Sequence, residues 1–428
     1  MTAPALKQQV AVCIGKAGQT VGQLSYVKEG AREYSAFAYD IAWLSDPARF
    51  EVSPDLALVS GHQVRRAPSK IDSCFHHALA DTEPDAWGRR VIARAHARAR
   101  KTSPQLKALN AFDYLSAVDD FSRMGALRLQ HGSGAFLQTV DEGQRATPPL
   151  VDLLRIFEAS RAVEGGQETA EDLRYLQGKG TSLGGMRPKC TVLDVDGSLA
   201  LGKFPSLLDE RNVTRAEVLA LHLAQRAGID AASARVLQVG NTPVAVIRRF
   251  DRTPEHARIH YLSAASMLQA KRHEERSYTE IADVIRAKCA NPTADVQQLW
   301  RRLVFNLLIT NVDDHLQNLG FLYVGQGQWR LAPHFDLNPF PDKDRESKTW
   351  LSEATGPITS LDMLMAQASY FSLPPTEALQ VLAQVYASVL EWRAAALGPD
   401  VGLLARELDD FAPAFEHDQM DEARWVMG

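Results

Sequence analysis

The stretch ITNVDDHLQNLGF, residues 309–321, sets two carboxylates, a histidine and an asparagine between apolar runs. Asp313 and Asn318 stand five residues apart, and Asp336 follows Asn318 by eighteen residues in LAPHFDLNPF. An aspartate beside a hydroxyl can take its proton. A carboxylate and an asparagine oxygen together offer the hard oxygen ligands that Mg2+ accepts. A base Asp, a metal Asn and a metal Asp are the parts that kinase phosphoryl transfer requires. His315, two residues after Asp313, is placed to brace the loop, and Phe335 and Leu337 flank Asp336 with apolar groups that fix its direction. The same residue types serve other ends. Asp313 or Asp314 equally suits a helix N-cap, and His315 alone equally suits a structural hydrogen bond.

Earlier in the chain, TSLGGMRPKC at 181–190 holds Gly184 and Gly185, with Gly178 and Gly180 just before. Glycines let a backbone approach a phosphate and point N–H groups at it. Arg187 and Lys189 add positive charge. The GxxxxGK[ST] pattern of a Walker A loop is absent. Lys203 ends a strand in LALGKFP. A strand lysine that faces a cleft holds nucleotide phosphates; a surface lysine is the alternative. The order is a Gly-rich loop, a hairpin, a strand lysine, two strands, helices, DxxxxN and a final Asp. That is the layout of a two-lobed protein kinase with ATP between a sheet lobe and a helical lobe. The usual HRD and DFG signatures are missing, so the pattern belongs to a divergent branch.

Other elements must position these groups. QQVAVCIGKAGQTVGQLSYV near the start has the apolar segments and glycine turn of a hairpin, and residues 10–60 read as strands and turns. Residues 74–99 are helical in character. PDAWGRRVIARAHARARK there makes a basic amphipathic helix, either a solvated face or a surface for nucleic acid or a partner. Residues 106–118 and 148–177 also read as helix. VDLLRIFEASRAVE puts Val151, Leu153, Leu154, Ile156 and Phe157 toward one buried face. KCTVLDVDGSLALGKFPS is strand, turn at Val195-Asp196-Gly197-Ser198, strand. VTRAEVLALHLAQRAG is a helix with Gly228 as C-cap. ARVLQVGNTPVAVIRRFDR gives two more strands. Helices are then expected at 262–271, 278–288, 296–310, 376–394 and 400–410.

The chain has 428 residues, 45% of them hydrophobic. At roughly 100–200 residues per domain this supports two or three cores. With 47 basic against 52 acidic residues and a net charge of -5, no global basic field favours direct, sequence-independent nucleic-acid binding. Cys13, Cys74, Cys190 and Cys289 are far apart and form no CxxC pair, which points to a reduced, cytoplasmic setting and away from a zinc knuckle. The N-terminal apolar run is broken by Gly15, Lys16 and Gly18 and reads as a first strand, not a signal peptide. No window approaches the roughly 20 apolar residues of a membrane helix.

Taken together, these stretches resemble the HipA family of serine/threonine kinases, the toxin halves of bacterial toxin–antitoxin pairs. SLGGMRPK at 182–189 resembles the family's phosphate loop, and KFP at 203–205 its nucleotide-lysine strand. NVDDHLQN resembles its catalytic loop, N-x-D-x-H-x-x-N, and LAPHFDL its metal-binding segment. VGQLSY, FHHALADTEPDAWGRRVI and RRFDR resemble the N-terminal region and the lobe junction. The resemblance implies an α+β, two-lobed kinase-like fold of the HipA type, with a strand-rich N-terminal lobe and an all-helical C-terminal lobe. It implies a subdomain over 1–145 suited to docking a partner, a nucleotide-binding core over 146–254 and a helical part over 255–428.

The resemblance also implies roles. Asp313 deprotonates the substrate hydroxyl, with His315 beside it, and Asn318 and Asp336 bind Mg2+. Lys203 holds the ATP phosphates. Ser182, Leu183, Gly184, Gly185 and Met186 cover them, with Lys189, Arg249 and Phe250 completing the nucleotide site. Ser182 stands where family members autophosphorylate and switch off. A phosphate there brings roughly -1.5 to -2 charges into an anion-binding loop. The partners implied are a protein substrate such as an aminoacyl-tRNA synthetase and a separate HipB-like helix–turn–helix antitoxin. DNA is reached only through that antitoxin. Two features depart from the pattern: Arg187 stands where a glutamine is frequent, and Arg248 where an acid is frequent near adenine. Two other readings stay open, a regulatory pseudokinase and a metal-dependent phosphoesterase. Loss of ATP-dependent activity in Asp313→Ala separates them from a kinase.

Overall fold

The N-terminal hairpin forms as its alternation demands. In the computed structural model, which describes residues 5–139, 150–176 and 185–427, β1 (Leu6–Ile14) pairs antiparallel with β2 (Gln19–Glu29). Gly15 and Gly18 supply the positive φ that the turn between them needs. β3 (Arg32–Tyr39), β4 (Gln63–Arg66) and β5 (Leu127–Gln130) complete a five-stranded antiparallel sheet in the order β4-β3-β2-β1-β5. Val12, Leu24, Tyr26 and Phe37 are buried on its inner face.

The chain divides into two compact units. One holds residues 1–202, 251–272 and 325–327; the other holds 203–250, 273–324 and 328–428. In the first unit the basic stripe has a structural use. The helix Ala86–Thr102 starts at Asp85, whose side chain accepts from Gly88 N. Arg90, Arg94 and Arg98 recur every four residues and so share one face. Arg90 donates to the carbonyls of Val163 and Glu164, Arg94 pairs with Glu168 at 2.6 Å, and Arg98 donates to the Glu168 carbonyl. Arg90 therefore holds the carbonyl end of the neighbouring helix Leu153–Gly165, where positive charge is favoured, and Arg94 and Arg98 hold Glu168 just beyond it. On that helix Leu153, Ile156 and Phe157 are buried as expected, but Leu154 is 46% exposed. It lies one residue round from Leu153, off the 3.6-residue stripe. β6 (Lys189–Leu193) and β7 (Leu199–Lys203) flank a turn closed by Asp194 N to Ser198 O at 2.8 Å, with Gly197 at φ 80°.

In the second unit, the helix Val213–Arg226 ends in the glycine-dependent way the sequence implies. Gly228 has φ 73°, Ile229 N donates to Ala224 O and Gly228 N donates to Gln225 O. β8 (Ala234–Val239) and β9 (Thr242–Arg248) form an antiparallel hairpin. The rest is mainly helical, with Tyr278–Lys288, Pro292–Leu308 and Pro375–Leu390 as its long elements. Trp300 is fully buried on the second of these and donates its indole N–H to Leu364 O at 3.0 Å.

Three expectations need correction. The C-terminal region is helix-rich but not all-helical: Gly320–Gly325 and Gln328–Leu331 are strands, too short to announce themselves by alternation. The segment expected as helix 262–271 is a strand at Tyr261–Ser263 and only one turn of helix at Ala264–Met267, which Ser263 caps. The expected helix 400–410 begins only at Ala405–Glu407 and Leu408–Phe415, because Gly402 takes φ 69°. Among the described residues, no helix is long and apolar enough to cross a membrane.

Candidate active site

The polar loop begins where the helix Pro292–Leu308 stops. Ile309 caps it, and Thr310 turns the chain at φ 51°. A β-branched residue in the left-handed region is an outlier that its surroundings must hold. Thr310 Oγ1 donates to Ala414 O at 3.1 Å, and its carbonyl accepts from Phe340 N. Asn311 fixes the next step. Its Nδ2 donates to Asn306 Oδ1 at 3.1 Å, and its Oδ1 accepts from Asn338 N at 3.2 Å. One asparagine thus ties the loop carrying Asp313 to the loop carrying Asp336.

Within the loop the two aspartates diverge. Asp314 is buried and is neither a helix cap nor a solvent group. It accepts from the Tyr278 hydroxyl at 2.5 Å and from Lys348 N at 2.7 Å, while its carbonyl accepts from Thr349 Oγ1. Burial pushes its carboxyl up to about 6, against the lowering effect of those donors. Asp313 is about a third exposed, with its Oδ1 on the Lys348 ammonium and 3.9 Å from His315 Nε2. Its carbonyl accepts from Asn318 Nδ2 at 2.7 Å. That bond commits the amide nitrogen of Asn318 and leaves its oxygen as the acceptor end. Burial holds the His315 imidazole below its ordinary value, against the opposing pull of Asp313, so it is neutral at pH 7. Its Nδ1 is buried and meets no hydrogen-bond partner among the described residues.

Asp336 sits at φ 58°, a conformation that aspartate tolerates better than most residues. Its Oδ1 meets the Lys203 ammonium at 2.6 Å and the Asn338 amide at 3.4 Å. Phe335 packs against Phe250 with ring centroids 5.4 Å apart, and Leu337 is fully buried, so Asp336 is flanked as its neighbours suggested. Asn318, His315 and Asp336 line one pocket.

Lys203 is the hub of the site. Its ammonium also meets Glu217 Oε1 at 2.5 Å, from the helix Val213–Arg226. Burial alone would lower its pKa, but Asp336 and Glu217 more than offset this and raise it, so the lysine is charged. Glu217 escaped the sequence reading, as did Tyr278 and Lys348. Its signal was an acid in a helix whose neighbours Ala216, Val218 and Leu219 are all buried. A buried carboxylate of that kind requires a cation.

Of the remaining candidates, Arg249 is buried and Phe250 is half-buried beside Phe335. Gly185, Met186 and Lys189 lie in the first unit. Gly185 takes φ 96°, and a Cβ there would meet Lys189 Nζ at 2.6 Å. Lys189 is itself buried and pairs with Asp85 at 3.3 Å. It therefore anchors the end of the glycine segment to the start of the helix Ala86–Thr102. Ser182, Leu183 and Gly184 lie outside the described residues.

The donor set fits a hard cation. Asn318 and Asp336 supply an amide oxygen and a carboxylate on one pocket. Among the described residues no three His, Cys, Asp or Glu side chains group as a complete metal cage. Mg2+ is commonly held by one or two protein oxygens together with substrate phosphates and water.

Comparison with known proteins bears on the family and the fold. Residues 181–392 match the family model of the HipA-like C-terminal domain. The chain is 26% identical over 345 residues to a protein of Sinorhizobium fredii (strain NBRC 101917 / NGR234) named "Putative kinase Y4mE", covering 75% of each. It is 30% identical over 109 residues to a protein of Haemophilus influenzae named "Putative kinase", covering 23% of this chain and 32% of that one. In fold it is similar to a chain of the Shewanella oneidensis MR-1 toxin–antitoxin complex of HipA, HipB and operator DNA. The TM-score is 0.66 at 16% identity, over 98% of this chain and 99% of the other.

Proposed function

We propose that this chain, which belongs to the HipA-like kinase family, is an ATP- and Mg2+-dependent protein serine/threonine kinase. The observation that carries the proposal is the pairing of Lys203 with both Glu217 and Asp336. A strand lysine oriented by a helix glutamate is the arrangement with which kinases hold nucleotide phosphates. Here the same lysine also touches the carboxylate suited to the metal.

In this reading Lys203 takes the ATP phosphates, and Asn318 Oδ1 and Asp336 hold Mg2+. The ion, when bound, neutralises charge on the β- and γ-phosphates. Asp313 receives the proton of the attacking hydroxyl. His315, neutral at pH 7, braces Asp313 and takes no proton itself. The buried Asp314 fixes the loop. Phosphorylation of Ser182, the residue at which the family resemblance implies a switch, would oppose nucleotide through its added negative charge. Arg249 and Phe250 border the nucleotide. A separate, HipB-like DNA-binding protein is the proposed partner, by analogy with the Shewanella complex, so DNA is reached through that partner.

The test is phosphate transfer from γ-labelled ATP with Mg2+, alone and with cell extract, comparing wild type with Asp313→Ala. Label on this chain or an extract protein, absent in the variant, supports the kinase. ATP binding without transfer in both proteins would support a pseudokinase. Phosphate release from other esters without ATP would support a phosphoesterase.

A further inference from the structure

We infer that Lys348 is a further catalytic residue, one that neutralises the transferring phosphoryl group beside Asp313. The inference rests on the kinase reading above. Lys348 lies in the charged loop PDKDRESKTW and carries no motif. Its ammonium is bonded to Asp313 Oδ1, the group proposed to receive the substrate proton.

Two features make this contact more than a chance surface pair. The backbone beneath Lys348 is fixed to the catalytic loop. Its own N–H donates to the buried carboxylate of Asp314 at 2.7 Å, the next residue's hydroxyl donates to the Asp314 carbonyl at 2.7 Å, and Tyr278 clamps the other Asp314 oxygen. Ser347 Oγ closes the segment by donating to Thr349 O at 2.6 Å and accepting from Ile358 N at 2.7 Å. The base loop and the lysine's origin therefore move as one piece. The side chain above that anchor is free to change partner: it is 57% exposed. An exposed Lys–Asp pair is weakly held, and lysine's flexible stem lets its head swing.

The ammonium holds Asp313 Oδ1, so the hydroxyl proton passes to Oδ2 or the exposed pair opens to admit it. In either case the cation lies next to the reacting phosphorus, where charge spread over three phosphoryl oxygens needs countercharge. In the transfer, the substrate oxygen bonds to the γ-phosphorus as its proton passes to Asp313. The bond from that phosphorus to the β,γ-bridging oxygen breaks, and its electron pair leaves on ADP. Lys348 stays protonated throughout.

The experiment compares wild type, Lys348→Ala and Lys348→Arg. It measures kcat, KM for ATP, and affinity for ADP alone and for ADP with aluminium fluoride as a stand-in for the transferring group. Lys348→Ala should lower kcat about 100-fold, leave KM for ATP and ADP affinity near wild type, and lose the tighter binding of ADP with fluoride. Lys348→Arg should recover part of the rate. An unchanged or faster Lys348→Ala would overturn the inference and leave the kinase intact, showing the lysine to be idle or a block on Asp313. Parallel loss of ADP affinity and rate would also overturn it, in favour of a structural role. A wild type that binds ATP but transfers no phosphate would refute the kinase reading itself, and this inference with it.

Discussion

Replacing Glu217 with glutamine keeps the side chain's size and removes one of the two carboxylates on the Lys203 ammonium. Both contacts are short, 2.5 Å to Glu217 and 2.6 Å to Asp336, and both the lysine and Glu217 are largely buried. Breaking a buried pair from one side costs about 3–5 kcal/mol. Asp336 still faces the ammonium, so the lower end applies, about 3 kcal/mol. For a unit of roughly 200 residues that is a fall of about 6–12 °C in melting temperature. The fall should be the same from pH 6 to 9. The raised pKa of Lys203 means that its stabilisation is fully present below the unfolded lysine value of about 10.4 and is lost only as pH climbs through the higher native one. ATP affinity should weaken as well, because Lys203 would collapse onto Asp336. Thermal unfolding by circular dichroism and nucleotide titration by fluorescence read both effects. A Glu217→Gln protein melting within about 1 °C of wild type, with unaltered ATP affinity, would refute the idea that Glu217 orients Lys203.

Three further expectations concern the two acidic loops. Asp336→Asn should abolish Mg2+-dependent phosphate transfer and, by removing a carboxylate from the buried Lys203 ammonium, lower the melting temperature as Glu217→Gln does, although asparagine tolerates the same backbone angle; retained turnover would remove Asp336 from the metal site. Tyr278→Phe deletes the hydroxyl held by Asp314 and should cost about 1.5–3 kcal/mol in chemical denaturation while lowering kcat more than ATP affinity. Asp314 gives a signed pH test. Its native carboxyl keeps its proton up to about 6, whereas an unfolded aspartate releases it near 3.9, so its stabilisation is present at low pH and lost as pH rises between those values. The melting-temperature difference, wild type minus Asp314→Asn, should therefore fall from about pH 4 to 6 and level off; a rise would contradict the burial argument.

The parts of the site legible in the sequence were those whose polarity had no structural excuse. Asp313, Asn318 and Asp336 interrupt apolar runs, and Asn318 and Asp336 do line one pocket. Lys203 was visible as the charged end of an otherwise apolar strand. Its partner was not. Glu217 sits on the buried side of the helix Val213–Arg226, away from the polar Arg215, His222 and Arg226, but which cation it meets there depends on how the helix packs on the strand ending at Lys203. Lys348 was hidden by abundance, as one charge in a loop full of them. Lys189 was legible as a charge near glycines, but its burial against Asp85 depends on a contact 104 residues away in the sequence. The same holds for the arginines of Ala86–Thr102, whose four-residue spacing was plain while their acceptors were not. Periodicity reports which face a residue is on, and a contact with a distant segment is decided by the fold.

The left-handed backbone at Asp336 bears on how this chain could change over time. Asparagine and glycine both adopt φ near 58° at little cost, whereas most residues pay about 1–2 kcal/mol. In the genetic code both are one nucleotide away from aspartate. With the metal role proposed above for Asp336, the shortest routes out of catalysis at this position therefore keep the path of the backbone. A silent descendant would superimpose on an active protein but would lack one carboxylate on the Lys203 ammonium, and would be less stable for it. A second change at Lys203 or Glu217 that restored charge balance would then be the expected companion of such a substitution.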